Sequence, residues 1–312
     1  MRDHLLLMAN NLEEYLGSLE ARFTIHRWDL VEDRDALMRD VGDKIRVVGT
    51  NGHVGCSATM MDRLPNLELI GCFGVGYDAI DVEAARQRRI AITNTPDVLS
   101  DAVAELALGL MIALARQIPQ SDRYMRDGRW HKGDYPLTSE LSGKTAGIVG
   151  LGRIGKELAR RLQVMKMRVV YHGRSEQPHQ PYDFYSDIRS MASDVDWLVL
   201  CLPGNSDSHN IVSADVLAAL GDRGCLVNIA RGSVVDEEAL CRAIVDGTIG
   251  GAALDVFANE PSIPSALLDA DNVVLSPHAS SGTTKTRRAM GELVIDNICA
   301  HLDGRPLLTR VV

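Results

Sequence analysis

Three polar residues stand just past three apolar runs of the strand type: Arg231 in NIARG, Glu260 in DVFANEP and His278 in SPHASSG. Their types fit one task. An arginine grips a carboxylate through two parallel hydrogen bonds. A histidine exchanges a proton near neutral pH, and a carboxylate bonded to it stabilises the protonated ring. Beside a hydride carrier, such a set would reduce a 2-oxo acid, with hydride going to the carbonyl carbon and a proton from His278 to the developing alkoxide. Taken singly, each residue has a plainer reading, because arginines at strand ends often pair with acids and Glu-Pro often marks a turn. The three on one sheet edge point to catalysis.

A hydride carrier is announced upstream. Gly150-Leu-Gly152-Arg-Ile-Gly155 fits G-x-G-x-x-G, between an expected strand at 145–149 and an expected helix at 153–165, with a second strand at 168–171. Gly150 permits the tight turn, Gly152 lets a pyrophosphate approach the backbone, and Gly155 lets helix pack on strand. The helix's free amides would face the phosphates. Alone the motif is weak; inside a strand–turn–helix–strand unit it predicts dinucleotide binding.

The remaining chain must position these groups. Strands are expected at 5–8, 24–26, 45–50, 69–72 and 90–93, with helices at 12–19, 34–39 and 59–64, which predicts a small parallel α/β sheet. Thr50-Asn51-Gly52 and Phe73-Gly74-Val75-Gly76-Tyr77 lie at strand ends, where open α/β sheets bind ligands. A buried helix at 100–117 reads as a bridge between two domains, and a helix at 283–303 as a second. The stretch 121–141, with Trp130, His131 and Tyr135, reads as polar and irregular, fit for a pocket or a subunit interface. Further strands are expected at 197–202, 226–229, 251–255 and 273–275, with helices at 213–220 and 237–246. Together with the two strands that flank the glycine-rich turn and its helix, these make at least six, as a dinucleotide-binding domain requires.

Composition narrows the class. The 312 residues suffice for two domains, and 46% apolar with 24% charged residues is ordinary for a soluble globular enzyme. A net charge of −9 argues against nucleic acid as a partner. Six scattered cysteines without a C-x-x-C pair suggest free thiols in a reducing cytosol. No secretion signal and no bilayer-length apolar run is visible, so a cytoplasmic protein without membrane contact is expected.

The segments NTPDVLSDAVAELALGLM, GIVGLGRIGKELARRL, NIARGSVVDEEAL, ALDVFANEP and SPHASSGT resemble the D-isomer-specific 2-hydroxyacid dehydrogenase family over nearly the whole chain. The resemblance implies an α/β fold of two Rossmann-like parallel-sheet domains. One is a flavodoxin-like substrate domain split between 1–98 and 284–312; the other is an inserted NAD(P)-binding domain at 99–283. It implies that Arg231 binds the substrate carboxylate, that His278 is the acid/base and that Glu260 is its partner. The amides of Val75 and Gly76 would hold the carboxylate too, Asn51 would line the pocket, and Asp255 would bond the nicotinamide carboxamide. The cofactor site would take in Gly150, Leu151, Gly152, Arg153, Ile154, Gly155, Gly173, Arg174, Ser175, Leu202, Pro203, Ile229, Ala230, Asp255, His278 and Ser280, with no metal. A homodimer is expected, and the 130–135 segment of one subunit could complete the other's pocket.

One departure is informative. NAD-using relatives end the second strand on an Asp that binds the adenosine ribose. Here Gly173 stands there, with Arg174 and Ser175 after it, which can bond a 2′-phosphate. NADPH is therefore the expected cofactor. Within the family the chain is most similar to glyoxylate/hydroxypyruvate reductases and hydroxyphenylpyruvate reductases. A small 2-oxo acid is the expected substrate, with a larger aryl 2-oxo acid, or a dinucleotide-sensing corepressor role, as alternatives. Tyr77, Leu99 and the 130–135 segment would set substrate size.

Overall fold

The computed structural model describes residues 2–312, and these divide into two compact units. The first takes in the chain up to Leu99 and again from Thr283 to Val312; the second runs from Ser100 to Gly282.

The first unit holds strands β1 (Asp3–Leu7), β2 (Phe23–Arg27), β3 (Ile45–Asn51), β4 (Leu69–Phe73) and β5 (Ala91–Thr93), in the order β2-β1-β3-β4-β5 with every pairing parallel. This is the flavodoxin-like order, whose switch point falls between β1 and β3. Every residue of β4 is buried, which explains why it reads as an unbroken apolar run: helices cover both faces of a parallel sheet. Helices α1 (Leu16–Glu20), α2 (Arg34–Val41), α3 (Ala58–Asp62) and α4 (Val82–Arg88) connect the strands. Residues 12–19, which read as one helix, are a 3-10 segment (Asn10–Tyr15) and then the short α1, because Leu12 leaves helical geometry at φ −107°, ψ 16°. Helix α4 escapes the sequence pattern. It has only seven residues, and its start is fixed by Asp81, whose side chain accepts from the Ala84 amide.

The second unit begins with α5 (Ser100–Ala115) and α6 (Ile118–Arg126), separated where Gln117 takes a left-handed φ of 49°. The helix expected to run to residue 117 stops there. Residues 121–141 are more ordered than their composition suggests. They contain most of α6 and a 3-10 turn (Arg129–Lys132), held because Tyr124 packs edge-on against Tyr135 and donates its hydroxyl to the Gly133 carbonyl. The sheet comprises β6 (Thr145–Val149), β7 (Arg168–His172), β8 (Asp183–Tyr185), β9 (Trp197–Leu200), β10 (Cys225–Asn228), β11 (Gly251–Leu254) and β12 (Val273–Leu275). Their order is β12-β11-β10-β9-β6-β7-β8, all parallel, with the winding direction reversing between β6 and β9. Helices α7 (Arg153–Val164), α8 (Ile188–Ser193), α9 (Ala214–Leu220), α10 (Glu237–Val245) and α11 (Ser265–Leu268) complete the layers. Edge strand β8 and helix α8 are additions to the sequence reading; three and six residues are too few to show a period.

Both helices expected to bridge domains pack within a single unit. Helix α5 lies on α7 and on β11. The final helix, α12 (Thr284–Leu302), lies on β4 in the first unit, where Gly71 lets Val294 and Ile298 come close. Among the described residues no single helix is long and apolar enough to cross a membrane.

Candidate active site

The glycine-rich turn joins β6 to α7. Gly150 has φ +97°, and a Cβ there would lie 2.9 Å from the Cys201 carbonyl oxygen. At Gly155 a Cβ would meet the Gly150 oxygen at 2.3 Å, so a side chain there would force helix from strand, whereas one at Gly150 would push the turn off the chain that follows β9. At Gly152 a Cβ would meet nothing within 4 Å, which leaves the backbone open on that side. The first helical hydrogen bond runs from the Lys156 amide to the Gly152 carbonyl, and no side chain caps the helix. The exposed first turn, with Gly152 and Arg153 on the surface and Leu151 buried beneath it, has the form that receives phosphate oxygens. These residues fit a dinucleotide.

Gly173, Arg174 and Ser175 come directly after β7, with Arg174 and Ser175 exposed. Gln177, which the sequence did not single out, closes this loop at its far end. Its backbone amide donates to the buried Tyr171 hydroxyl at 2.7 Å, and its side-chain amide donates to the Leu151 carbonyl at 2.8 Å. The loop after β7 is thereby tied to the glycine-rich turn.

Beyond β9, Leu202 is half-buried and Pro203 exposed, with the Ser208 hydroxyl donating to the Pro203 carbonyl. Beyond β10, Ile229 and Ala230 are buried, and Asn228 shapes the turn that presents Arg231. Its oxygen accepts from the Ala230 amide, and its NH2 group donates to the Arg231 carbonyl at 2.9 Å. Arg231 donates to the Ala230 carbonyl at 2.7 Å, and its aliphatic stem passes where a Cβ on Gly204 would sit. A Cβ on Gly232 would fall 2.0 Å from the Phe257 carbonyl oxygen, so that glycine is a packing requirement. Asparagine in a turn bonding its own backbone is a legible signal; Asn228 inside NIARG carried it.

Arg231, Glu260 and His278 lie beyond β10, β11 and β12, three adjacent strands about 4.8 Å apart. The structure therefore brings them to one edge. Glu260 accepts from the Phe257 amide through one oxygen at 3.0 Å, and its other oxygen lies 2.8 Å from His278 Nδ1. With Nδ1 engaged by the carboxylate, Nε2 is the nitrogen suited to meet a reacting oxygen.

His278 itself has φ +50°, an unfavourable conformation for a side-chain-bearing residue. Asp255 holds it there. This carboxylate has no exposed surface, and it accepts from the Ser276 hydroxyl at 2.6 Å, the Ala279 amide at 2.8 Å and the Ser280 amide at 3.0 Å. The His278 amide donates to the Asp255 carbonyl at 2.8 Å. Ser280, half-buried, is thus tied to the same carboxylate as the histidine loop.

In the first unit, Asn51 ends β3. Its oxygen accepts from the amides of His53 and Val54, and its NH2 donates to Asn11 at 2.7 Å, so it fixes the loop at the strand's end. The turn after β4 is fixed by Thr95 and Asn94. Gly74 exchanges hydrogen bonds with Thr95, and the Asn94 side chain donates to the Val75 carbonyl at 3.0 Å. Among the described residues no protein acceptor faces the amides of Val75 and Gly76.

Residues 108–280 match the family described as D-isomer specific 2-hydroxyacid dehydrogenase, NAD binding domain. The chain is 42% identical over 308 residues to glyoxylate/hydroxypyruvate reductase A of Arabidopsis thaliana, covering 98% of each. It is 43% identical over 309 residues to hydroxyphenylpyruvate reductase of Plectranthus scutellarioides, again 98% of each. Among solved structures, it is similar to the NADPH-dependent glyoxylate/hydroxypyruvate reductase of Sinorhizobium meliloti in complex with NADP and malonate. There the TM-score is 0.93 at 39% identity, covering 100% of this chain and 97% of that one.

Proposed function

Because this chain belongs to the D-isomer specific 2-hydroxyacid dehydrogenase family, we propose that it reduces a small 2-oxo acid, glyoxylate or hydroxypyruvate, to the D-2-hydroxy acid with NADPH. The observation that carries this reading is the 2.8 Å hydrogen bond between Glu260 and His278, on the same sheet edge as Arg231 and the open glycine turn. A nicotinamide dinucleotide bound at that turn supplies the hydride. His278 delivers a proton from Nε2 to the oxygen that becomes the hydroxyl, and Glu260, bonded to Nδ1, fixes the orientation of the ring for that delivery. Arg231 holds the substrate carboxylate with its planar fork, and the amides of Val75 and Gly76 are donors for a carboxylate in the first unit, with Asn51 shaping the loop beside them. Gly150 to Gly155 hold the pyrophosphate; Leu202, Pro203, Ile229, Ala230 and Ser280 line the remainder of the cofactor's path.

The preference for NADPH rests on the loop after β7. Gly173 offers no carboxylate to repel a 2′-phosphate, and Arg174 with Ser175 supplies donors, worth about 1–3 kcal/mol. The Sinorhizobium meliloti relative, described as NADPH-dependent, supports this. The six free thiols support a cytoplasmic location. Ile118, Met125, Trp130 and Leu137, exposed along one stretch of chain, are apolar side chains that a homodimer would cover. The equally similar hydroxyphenylpyruvate reductase favours an aryl 2-oxo acid as the second reading. The test is kcat/KM for glyoxylate, hydroxypyruvate and 4-hydroxyphenylpyruvate with each cofactor. The small acids and NADPH should win, and NADH equalling NADPH, or cofactor binding without turnover, would sink the proposal.

A further inference from the structure

Asn297, on α12, is fully buried and uses every hydrogen-bonding position it has. Its NH2 group donates to the Leu293 carbonyl at 2.8 Å and to the Thr309 hydroxyl at 2.9 Å. Its oxygen accepts from the amides of Leu308 at 2.9 Å and Thr309 at 3.1 Å. A buried side-chain amide with both donors and both lone pairs engaged leaves its partners one arrangement. The segment it fixes lies antiparallel beside β5, where the Val311 amide donates to the Ile92 carbonyl and Arg310 bridges Thr93. From Thr309 the bonds continue inward. Its hydroxyl, which accepts from Asn297, donates to the Asn94 carbonyl at 2.7 Å. In a trans peptide the C=O and the following N–H share a plane and point in opposite directions, and the peptides after Gly74, Val75 and Asn94 are all trans. Fixing the Asn94 oxygen therefore aims the Thr95 amide, which donates to the Gly74 carbonyl at 2.9 Å. Fixing the Gly74 oxygen in turn aims the Val75 amide. The Asn94 side chain acts likewise on the next peptide, because its bond to the Val75 carbonyl at 3.0 Å aims the Gly76 amide.

We propose that Asn297 and Thr309 are positioning residues for the substrate: through Asn94 and Thr95 they set the two amides, of Val75 and Gly76, that receive its carboxylate. The inference rests on the 2-oxo acid reduction proposed above and on the place of the carboxylate in it. Two observations separate this role from simple closure of the fold. If Asn297 served only to anchor the chain after α12, its bonds would end at Leu308 and Thr309. They continue instead through a hydroxyl whose second partner is Asn94, and from there to the turn after β4. At the far end the two amides face no protein acceptor among the described residues, as donors kept for a ligand would. Each bond in such a chain also polarises the next, so the Val75 N–H at its end is a stronger donor than a solitary amide.

The test uses Thr309→Val, which keeps the shape of this half-buried side chain and removes its hydroxyl, and Thr309→Ser, which restores the hydroxyl. In Thr309→Val, KM for glyoxylate should rise about three- to tenfold, the scale of one hydrogen bond. KM for NADPH should stay unchanged, because the glycine-rich turn belongs to the second unit, and kcat should change less than KM for glyoxylate. Thr309→Ser should return KM close to the wild-type value. A KM for glyoxylate unmoved in Thr309→Val, or a rise that Thr309→Ser does not reverse, overturns the proposal. An equal rise in both KM values does so too, since it marks a general loss of structure. If the wild type turns over no 2-oxo acid, the function proposed above fails on its own. The Val75 amide resonance in nitrogen–proton NMR spectra then still decides the positioning. An upfield shift of its proton in Thr309→Val, reversed in Thr309→Ser, upholds it, and an unmoved resonance overturns it.

Discussion

At the carboxyl edge of the second sheet, the polar side chains are tied down before any ligand arrives. Asp255 accepts three hydrogen bonds from the loop that carries His278, Asn228 makes two within the turn that carries Arg231, and Glu260 divides its oxygens between a backbone amide and the histidine. Away from the Val75 turn, the corresponding edge of the first sheet is built the other way. It has polar cavities, exposed glutamates and an Arg287 with no acceptor among the described residues. Both edges sit where parallel sheets bind ligands, so the fold does not account for the contrast. The chemistry does. Groups that transfer a proton must be held in one geometry, because a small misplacement is expensive in rate. Polar groups with no part in that transfer can remain open to solvent.

The strongest way to break this contrast is at His278. Replacing it with Ala should lower kcat by roughly 10²–10⁴-fold, the usual contribution of general acid catalysis, while the melting temperature stays near that of the wild type. Undiminished kcat for glyoxylate would remove His278 from proton delivery. Asp255→Ala attacks the scaffold beneath it. Three donors of a partly exposed loop lose their one buried acceptor, so stability should fall by about 1–3 kcal/mol, and kcat should fall with it because the strained φ of His278 is no longer held. Loss of stability with kcat intact would show that the loop keeps its shape without the carboxylate. Arg231→Lys retains the charge and loses the fork, so KM for the 2-oxo acid should rise about tenfold with a smaller change in kcat. An unchanged KM would deny it the carboxylate.

How much of this edge could be read from the chain depended on whether the signal was local. Gly150, Gly152 and Gly155 announce themselves by spacing, and Arg231, Glu260 and His278 by standing just past apolar runs, so their places at strand ends were legible. Asp255 was legible as a residue, but its grip on Ser276, Ala279 and Ser280 was not, because that depends on β11 and β12 being neighbours. Gln177 gave no signal at all; its partners lie 6 and 26 residues away. Arg287 looked like any arginine in a helix, and its place over Phe73 depends on α12 packing on β4. On the fold side, α4, α8 and β8 went unread because short elements show no period, and Gln117 ended α5 through a backbone angle that composition does not display.

Gln177 offers a gentler test. Gln177→Ala frees the loop bearing Arg174 and Ser175 from the glycine turn, at the cost of about one hydrogen bond. On the proposed reading, in which the loop's charge meets the 2′-phosphate, the ratio of kcat/KM for NADPH over NADH should narrow about three- to fivefold. An equal loss with both cofactors would make Gln177 a support of the fold alone.

The smallest effect sharpens the other side of the contrast. Even at the open edge one pair is closed: Arg27, at the end of β2, makes two parallel hydrogen bonds to Asp29, at 2.8 and 2.7 Å, and both line the cavity that reaches Asn51. The hydrogen bond from Arg27, more than its charge alone, holds the Asp29 carboxyl below its ordinary pKa against the opposing effect of burial. A depressed folded pKa means that the native state keeps this group ionised where the unfolded chain has begun to bind protons. The stabilisation is therefore complete above the unfolded value of about 3.9 and disappears as pH falls through the folded value. Both side chains are mostly buried, so the pair should be worth about 1–2 kcal/mol. Arg27→Met should accordingly lower the melting temperature by a constant amount from pH 8 to about pH 5, and the gap to the wild type should close below about pH 4. A gap independent of pH would mean that Arg27 acts by packing its stem, and the first sheet's edge would then contain no charged clamp of the kind that fills the second.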